Sequence, residues 1–168
     1  AIDAESSYAT MQQVADALGV GEAAPALVDT LRQAIVDKEA EVAELLPEEA
    51  KRPRVAFLYV RGTAGVFYLF GEGSGVDSLI RSIGAVDVAA EIGWVGEKPM
   101  TEEALVAMNP DIILVMTKGL ESAGGVDGLL AARPSIALTT AGQHRRIIDV
   151  DDSVLFAGGT RIPDVIDG

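Results

Sequence analysis

Arg54-Val-Ala-Phe-Leu-Tyr-Val-Arg61 is the stretch on which the fold turns. It is an apolar run of strand length, and it predicts a strand over 55–60. Alternate residues of a strand project from the same face. Tyr59 and Arg61 are therefore expected side by side at its carboxyl end. A guanidinium beside a phenol stabilises negative charge on the oxygen. A phenolate is a good ligand for ferric iron, and tyrosine is among the known haem ligands. The plainer reading is a strand tyrosine beside a solvated arginine.

Working outward, apolar strands alternate with helices. Further strands are predicted at 66–70, 112–116 and 147–150, and helices near 75–83, 101–109 and 125–132. Val76, Leu79, Ile80 and Ile83 keep helical spacing, and Gly84 stops them. Thr101 caps the next helix, Glu102 and Glu103 suit its positive end, and Pro110 ends it. Such alternation predicts an α/β fold: a mostly parallel sheet covered on both faces. Ligands of open α/β sheets bind beyond the carboxyl ends of the strands. That edge is expected to gather Tyr59 and Arg61, Gly71–Gly75, Thr117–Gly119 and Asp151–Arg161. Arg52 and Arg54 fall at the other edge.

The first 50 residues read as helical. Ser6 or Ser7 is expected to cap a short helix carrying Met11, Val14, Ala15 and Leu18, with Gly19 as its stop. A second helix starts near Pro25 and ends at Pro47, with Leu27, Leu31, Ala34, Ile35, Val42, Leu45 and Leu46 on one face. At 1.5 Å per residue it reaches ~33 Å, long enough to act as a strut between two lobes.

The 168 residues suit one domain or one lobe of a larger protein. A net charge of −13 argues against nucleic acid. Cysteine is absent, which removes disulfides, thiolate metal sites and cysteine nucleophiles. No apolar stretch approaches the ~20 residues of a membrane span, and no signal peptide is visible.

Other motifs carry less chemistry. Gly71-Glu-Gly-Ser-Gly75 joins a strand to a helix, as phosphate-cradling loops do. It lacks the third glycine of G-x-G-x-x-G and the Gly-Lys-Ser/Thr ending of a P-loop, so a tight turn is the expected role. Tyr68 sits in the apolar run Val66-Phe-Tyr-Leu-Phe70 and is expected in the core, and Tyr8, on a helix face, is expected to serve packing. His144 is the only histidine and is expected in an exposed loop at the far edge. With one histidine and no cysteine, zinc is not expected, and no Gly-x-Ser-x-Gly elbow marks a serine hydrolase. The pairs Gly124-Gly125 and Gly158-Gly159 read as loop hinges.

Several strings together resemble one family. They are Tyr59-Val-Arg-Gly62, Gly71-Glu-Gly-Ser-Gly75, Asp77-Ser-Leu-Ile-Arg-Ser-Ile-Gly84 and Lys98-Pro-Met-Thr-Glu-Glu-Ala-Leu-Val-Ala-Met-Asn-Pro-Asp-Ile-Ile-Leu-Val115. Gly119-Leu-Glu-Ser-Ala-Gly-Gly-Val-Asp-Gly-Leu-Leu130 and Asp151-Asp152 through Gly158-Gly-Thr-Arg161 complete the set. The chain is similar, over about residues 1–163, to the C-terminal lobe of haem-binding substrate-binding proteins of ABC importers, the HmuT type. These belong to the wider class III of iron-siderophore, haem and cobalamin binders. The Tyr-x-Arg and Gly-Leu-Glu-Ser-x-Gly-Gly strings belong to the haem branch.

The resemblance implies a Rossmann-like three-layer lobe at 51–168, an interlobe helix within 25–50, and the end of an N-terminal lobe at 1–20. It implies haem as transported ligand, with Tyr59 as axial ligand to the iron and Arg61 hydrogen-bonding it. The histidine that some members supply from the other lobe has no counterpart here. Glu103, with Glu102 as runner-up, matches the glutamate that docks onto arginines of the membrane permease. The implied role is binding and release, with no enzymatic step, outside the cytoplasmic membrane, periplasmic or lipid-anchored. Alternatives are a ferric-siderophore or cobalamin binder of the same class, or a nucleotide-binding Rossmann enzyme using the 71–75 loop. The apolar face of residues 8–18 is expected to promote dimerisation where the rest of that lobe is missing.

Overall fold

The arginine-bounded run folds as the central strand β1, Arg54–Arg61. The computed structural model describes residues 4–45, 52–62 and 65–153. The expected helix stop at Pro47, Leu46, the Gly158-Gly159 pair and Arg161 lie outside the described residues. The remaining strands are β2 (Val66–Phe70), β3 (Val86–Asp87), β4 (Glu97–Pro99), β5 (Ile112–Met116) and β6 (Ile147–Val150). Their order is β4-β2-β1-β5-β6, with β3 also pairing to β1. β1 is parallel to β3 and β5, and β5 is parallel to β6. β2 is antiparallel to both its neighbours, β1 and β4. β2 alone therefore runs against the rest, and the sheet is mixed but mostly parallel.

Helices cover both faces. They are α3 (Val76–Ser82), α4 (Val88–Glu91), α5 (Glu102–Met108), α6 (Thr117–Ser122), α7 (Gly125–Ala132), α8 (Pro134–Ala137) and α9 (Thr140–Gln143). On one face Ala56, Leu58, Val60, Ile113 and Val115 meet Leu105, Leu129, Ile136 and Ala141. On the other, Val55, Phe57, Leu114 and Met116 meet Val76 and Ile80 of α3. A strand covered on both faces is apolar throughout, which is why β1 and β5 read as unbroken apolar runs. Leu58, Leu105 and Ile113 are fully buried, and each contributes about 1.5–3 kcal/mol of apolar burial.

Thr101 caps α5 as expected, its hydroxyl accepting from the Ala104 amide at 3.2 Å. Asn109 ends that helix in a left-handed conformation (φ 45°). Thr117–Gly119 forms the first turn of α6, which starts directly at the end of β5.

Two helices precede the sheet: α1 (Ala4–Ala17) and α2 (Ala24–Leu45), joined through a 3-10 turn at Gly21–Ala23. α1 starts before Ser6 and Ser7, so neither serine is its cap. Gly19 closes the helix in a left-handed conformation (φ 74°). α2 has 22 residues, matching the expected strut in length. Its inward stripe is Ala24 and Val28, then the half-buried Leu31, Ile35 and Val42. Leu27 and Leu45, expected on that face, are exposed. Tyr8 is buried, with the Arg32 guanidinium 5.0 Å from its ring. Val14 and Leu18 stay 53% and 73% exposed, so the outward apolar surface of α1 is at its carboxyl half.

Candidate functional site

Tyr59 and Arg61 leave the same face at the carboxyl end of β1, and they touch. Arg61 Nε donates a hydrogen bond to the Tyr59 hydroxyl oxygen at 2.6 Å, and the guanidinium carbon lies 5.7 Å from the ring centroid. Charge-assisted hydrogen bonds are short and strong. Tyr59 is half-buried and Arg61 exposed. The tyrosine ring stacks on Phe70 at 6.1 Å, and Phe70 packs on Phe57 at 5.2 Å. This aromatic row fixes the base of the Tyr59 side chain while its oxygen remains at the sheet edge.

A second support comes from α6. The Ser122 hydroxyl accepts from the Gly62 amide at 3.0 Å and donates to the Gly119 carbonyl at 2.8 Å. Two glycines permit this approach. A Cβ on Gly119 would lie 2.7 Å from the Val60 carbonyl oxygen. A Cβ on Gly62 would lie 2.7 Å from the Ser122 carbonyl oxygen. The Tyr59-Val-Arg-Gly62 and Gly119-Leu-Glu-Ser122 strings, separate in sequence, thus form one contact. Reading along the chain singles out Tyr59 and Arg61 but gives Gly119 and Ser122 no positioning role.

Beside this edge, Thr117 donates to Asp149 at 2.7 Å, and the Lys118 amide donates to Asp152 at 3.0 Å. These contacts tie the start of α6 to the end of β6.

Two expectations about this edge need correction. Gly71–Gly75 does not share the edge with Tyr59. β2 is antiparallel to β1, with Arg61 opposite Val66 and Leu58 opposite Leu69, so its carboxyl end lies at the other edge. There the loop pairs with 94–96: the Gly71 amide donates to Gly96 and the Glu72 amide to Trp94. The Gly75 amide donates to the Asp77 carboxylate at 3.0 Å. Burial alone would raise the Asp77 carboxyl, but the Gly73 amide, Arg81 and the Gly75 amide outweigh it and hold the group below its usual range. The chain's own carboxylate occupies the loop, as expected of a turn rather than a phosphate cradle.

The second correction is Tyr68, which is outside the core. β2 alternates, burying Phe67 and Leu69 and leaving Tyr68 half-buried on the face of Tyr59. Thr117–Gly119 does lie at the carboxyl edge, directly after β5, as expected.

His144 is exposed and precedes β6, at the edge remote from Arg61. Arg54 is likewise remote, paired with Glu91 at 2.6 Å. The two glutamates of α5 differ. Glu102 accepts from Arg133 at 3.3 Å, and Ser135 and Arg133 beside it hold its carboxyl below the usual range. Glu103 is exposed and enters no ion pair among the described residues. No group of histidines and carboxylates among the described residues is arranged to hold a metal ion.

The family model for periplasmic binding proteins matches residues 2–154. The chain belongs to the periplasmic binding protein family. Solved structures agree. The periplasmic heme-binding protein RhuT from Roseiflexus sp. RS-1, in apo form, is 36% identical with a TM-score of 0.86, over 99% of this chain and 62% of that one. The heme-binding protein HmuT is 36% identical with a TM-score of 0.88, over 98% of this chain and 52% of that one. BhuT, a periplasmic heme-binding protein solved with two hemes, is 34% identical with a TM-score of 0.83, over 98% and 60%. The chain thus spans between half and two thirds of the length of these relatives. Curated proteins yield no match.

HmuT has also been solved with a tyrosine and an arginine two positions apart each changed to alanine, the spacing of Tyr59 and Arg61. A histidine changed in a third structure lies further upstream of that tyrosine than Tyr59 lies from Ala1.

Proposed function

We propose that this chain is the C-terminal lobe of the haem-binding component of an ABC importer, acting outside the cytoplasmic membrane. Residues 1–20 are the end of an N-terminal lobe, 25–50 carry the interlobe helix, and 51–168 form the ligand-binding lobe. The observation that carries the reading is the hydrogen bond from Arg61 to the Tyr59 oxygen at the carboxyl edge of the sheet.

Haem is cargo here, captured and released without bond chemistry on the macrocycle. Tyr59 supplies an anionic oxygen to ferric iron. Arg61 donates to that oxygen, orients it and balances its charge. Gly62, Gly119 and Ser122 fix the strand end that carries both. Family membership and the spacing shared with HmuT support the same roles. Ferric haem titrated into the full-length protein tests the reading. A saturable tyrosinate-type absorption spectrum is expected, and its absence contradicts the proposal.

Glu103 is the docking glutamate for the permease. Glu102 is already paired with Arg133, which leaves its neighbour for a basic partner surface. Among the described residues no helix is long and apolar enough to cross a membrane. Glu103→Ala is expected to lower haem transport in reconstituted vesicles about tenfold, the scale of one interface contact whose truncation costs more than about 1 kcal/mol. Haem affinity in solution is expected to stay unchanged. Equal transport by Glu103→Ala and the unmodified protein would sink this role.

A further inference from the structure

Tyr59 opens a row of side chains that crosses the sheet. Tyr59 of β1 is in register with Tyr68 of β2, and Tyr68 with Pro99 of β4. Directly opposed residues of antiparallel strands project from one face, with Cβ atoms about 5 Å apart. Phe67 and Leu69 take the other face of β2 into the core. Tyr68 is half-buried and Pro99 exposed, so the row remains open beyond Tyr59. Three adjacent strands span about 10 Å, the scale of a flat macrocycle.

The approach of a ligand to Tyr59 decides what Tyr68 meets. A phenol oxygen that holds iron end-on sets the macrocycle plane across the tips of the neighbouring side chains. A parallel side chain about 5 Å away then reaches the ring system rather than the metal. Aromatic groups favour such edge-to-face contact.

We propose that Tyr68 is a contact residue for the macrocycle itself. Its ring meets the face of the tetrapyrrole whose iron Tyr59 holds, and it selects for a large planar ring whatever the metal. This rests on the reading of Tyr59 as the iron ligand, so the experiment separates the two.

Ferric haem and metal-free protoporphyrin IX are titrated into the full-length protein and into Tyr68→Val, Tyr68→Phe and Tyr59→Phe. Valine keeps strand propensity but removes the ring. Tyr68→Val is expected to weaken both ligands about tenfold. Tyr68→Phe keeps the ring and is expected to stay within about twofold of the unmodified protein for both. Tyr59→Phe is expected to weaken ferric haem far more than the metal-free ring. Undiminished porphyrin affinity in Tyr68→Val overturns the contact and leaves the Tyr59 reading standing. A loss in Tyr68→Phe equal to that in Tyr68→Val also overturns it, because the hydroxyl would then be responsible. An unchanged ferric haem affinity in Tyr59→Phe overturns the iron-ligand reading instead. Should Tyr68→Val fail to fold, Pro99→Glu, at an exposed edge position, reads the same row. A several-fold loss for both ligands is expected there, and no loss overturns the proposal.

Discussion

Tyr59→Phe is expected to abolish the ferric tyrosinate absorption of the haem-loaded full-length protein and to lower ferric haem affinity about a hundredfold. Phenylalanine keeps the ring that stacks on Phe70 at 6.1 Å, so the sheet edge is undisturbed and only the oxygen is lost. Residues that act through a metal ligand typically change affinity about 10–100-fold, and loss of the ligand itself belongs at or beyond the top of that range. Arg61→Ala leaves the oxygen in place and removes its donor at 2.6 Å. It is expected to weaken binding about tenfold and to shift the charge-transfer band without abolishing it. An unchanged band in Tyr59→Phe would exclude Tyr59 as the ligand. A larger loss in Arg61→Ala than in Tyr59→Phe would move the principal contact to the guanidinium.

Gly119→Val is expected to be the most disruptive single change near the site. The added Cβ would stand 2.7 Å from the Val60 carbonyl oxygen, and neither backbone can yield without moving α6 off β1. Overpacking of this kind costs about 1–3 kcal/mol. The displacement also draws Ser122 away from the Gly62 amide, so the strand end that carries Arg61 loosens. Lower urea stability and weaker haem binding should appear together. Glu121→Val, on an exposed position of the same helix, is expected to stay within about 0.5 kcal/mol of the unmodified protein. A Gly119→Val variant as stable as Glu121→Val would show that the close approach is not needed.

Legibility in the sequence followed element length and the range of the contacts. β2 and β5 fall where the apolar runs place them, and α3 keeps the spacing of Val76, Leu79 and Ile80. β3 and α4 are two and four residues long, too short for any period to show. The direction of β2 was readable from spacing. Only residues 62–65 separate it from β1, whereas a parallel crossover needs about a dozen or more. That hairpin moves Gly71–Gly75 to the opposite edge. Tyr68 was hidden because every residue of Val66–Phe70 is apolar or aromatic, so alternation carries no contrast. The Tyr59–Arg61 contact was visible because it is local, two residues apart on one strand. Its buttress from Gly119 and Ser122 was not, because 60 residues separate Ser122 from Gly62 and nothing local signals their approach.

The central claim is that this lobe serves a haem-binding protein, and the competing ligands of the class separate cleanly in chemistry. A ferric siderophore already saturates its iron, and cobalamin carries its own axial base, so neither needs the Tyr59 oxygen. Ferric haem, a ferric siderophore and cobalamin should therefore be titrated in parallel into the full-length protein and its Tyr59→Phe variant. The account predicts that haem binds most tightly and alone depends on Tyr59. Tighter binding of the siderophore or cobalamin, with no change in Tyr59→Phe, would contradict it.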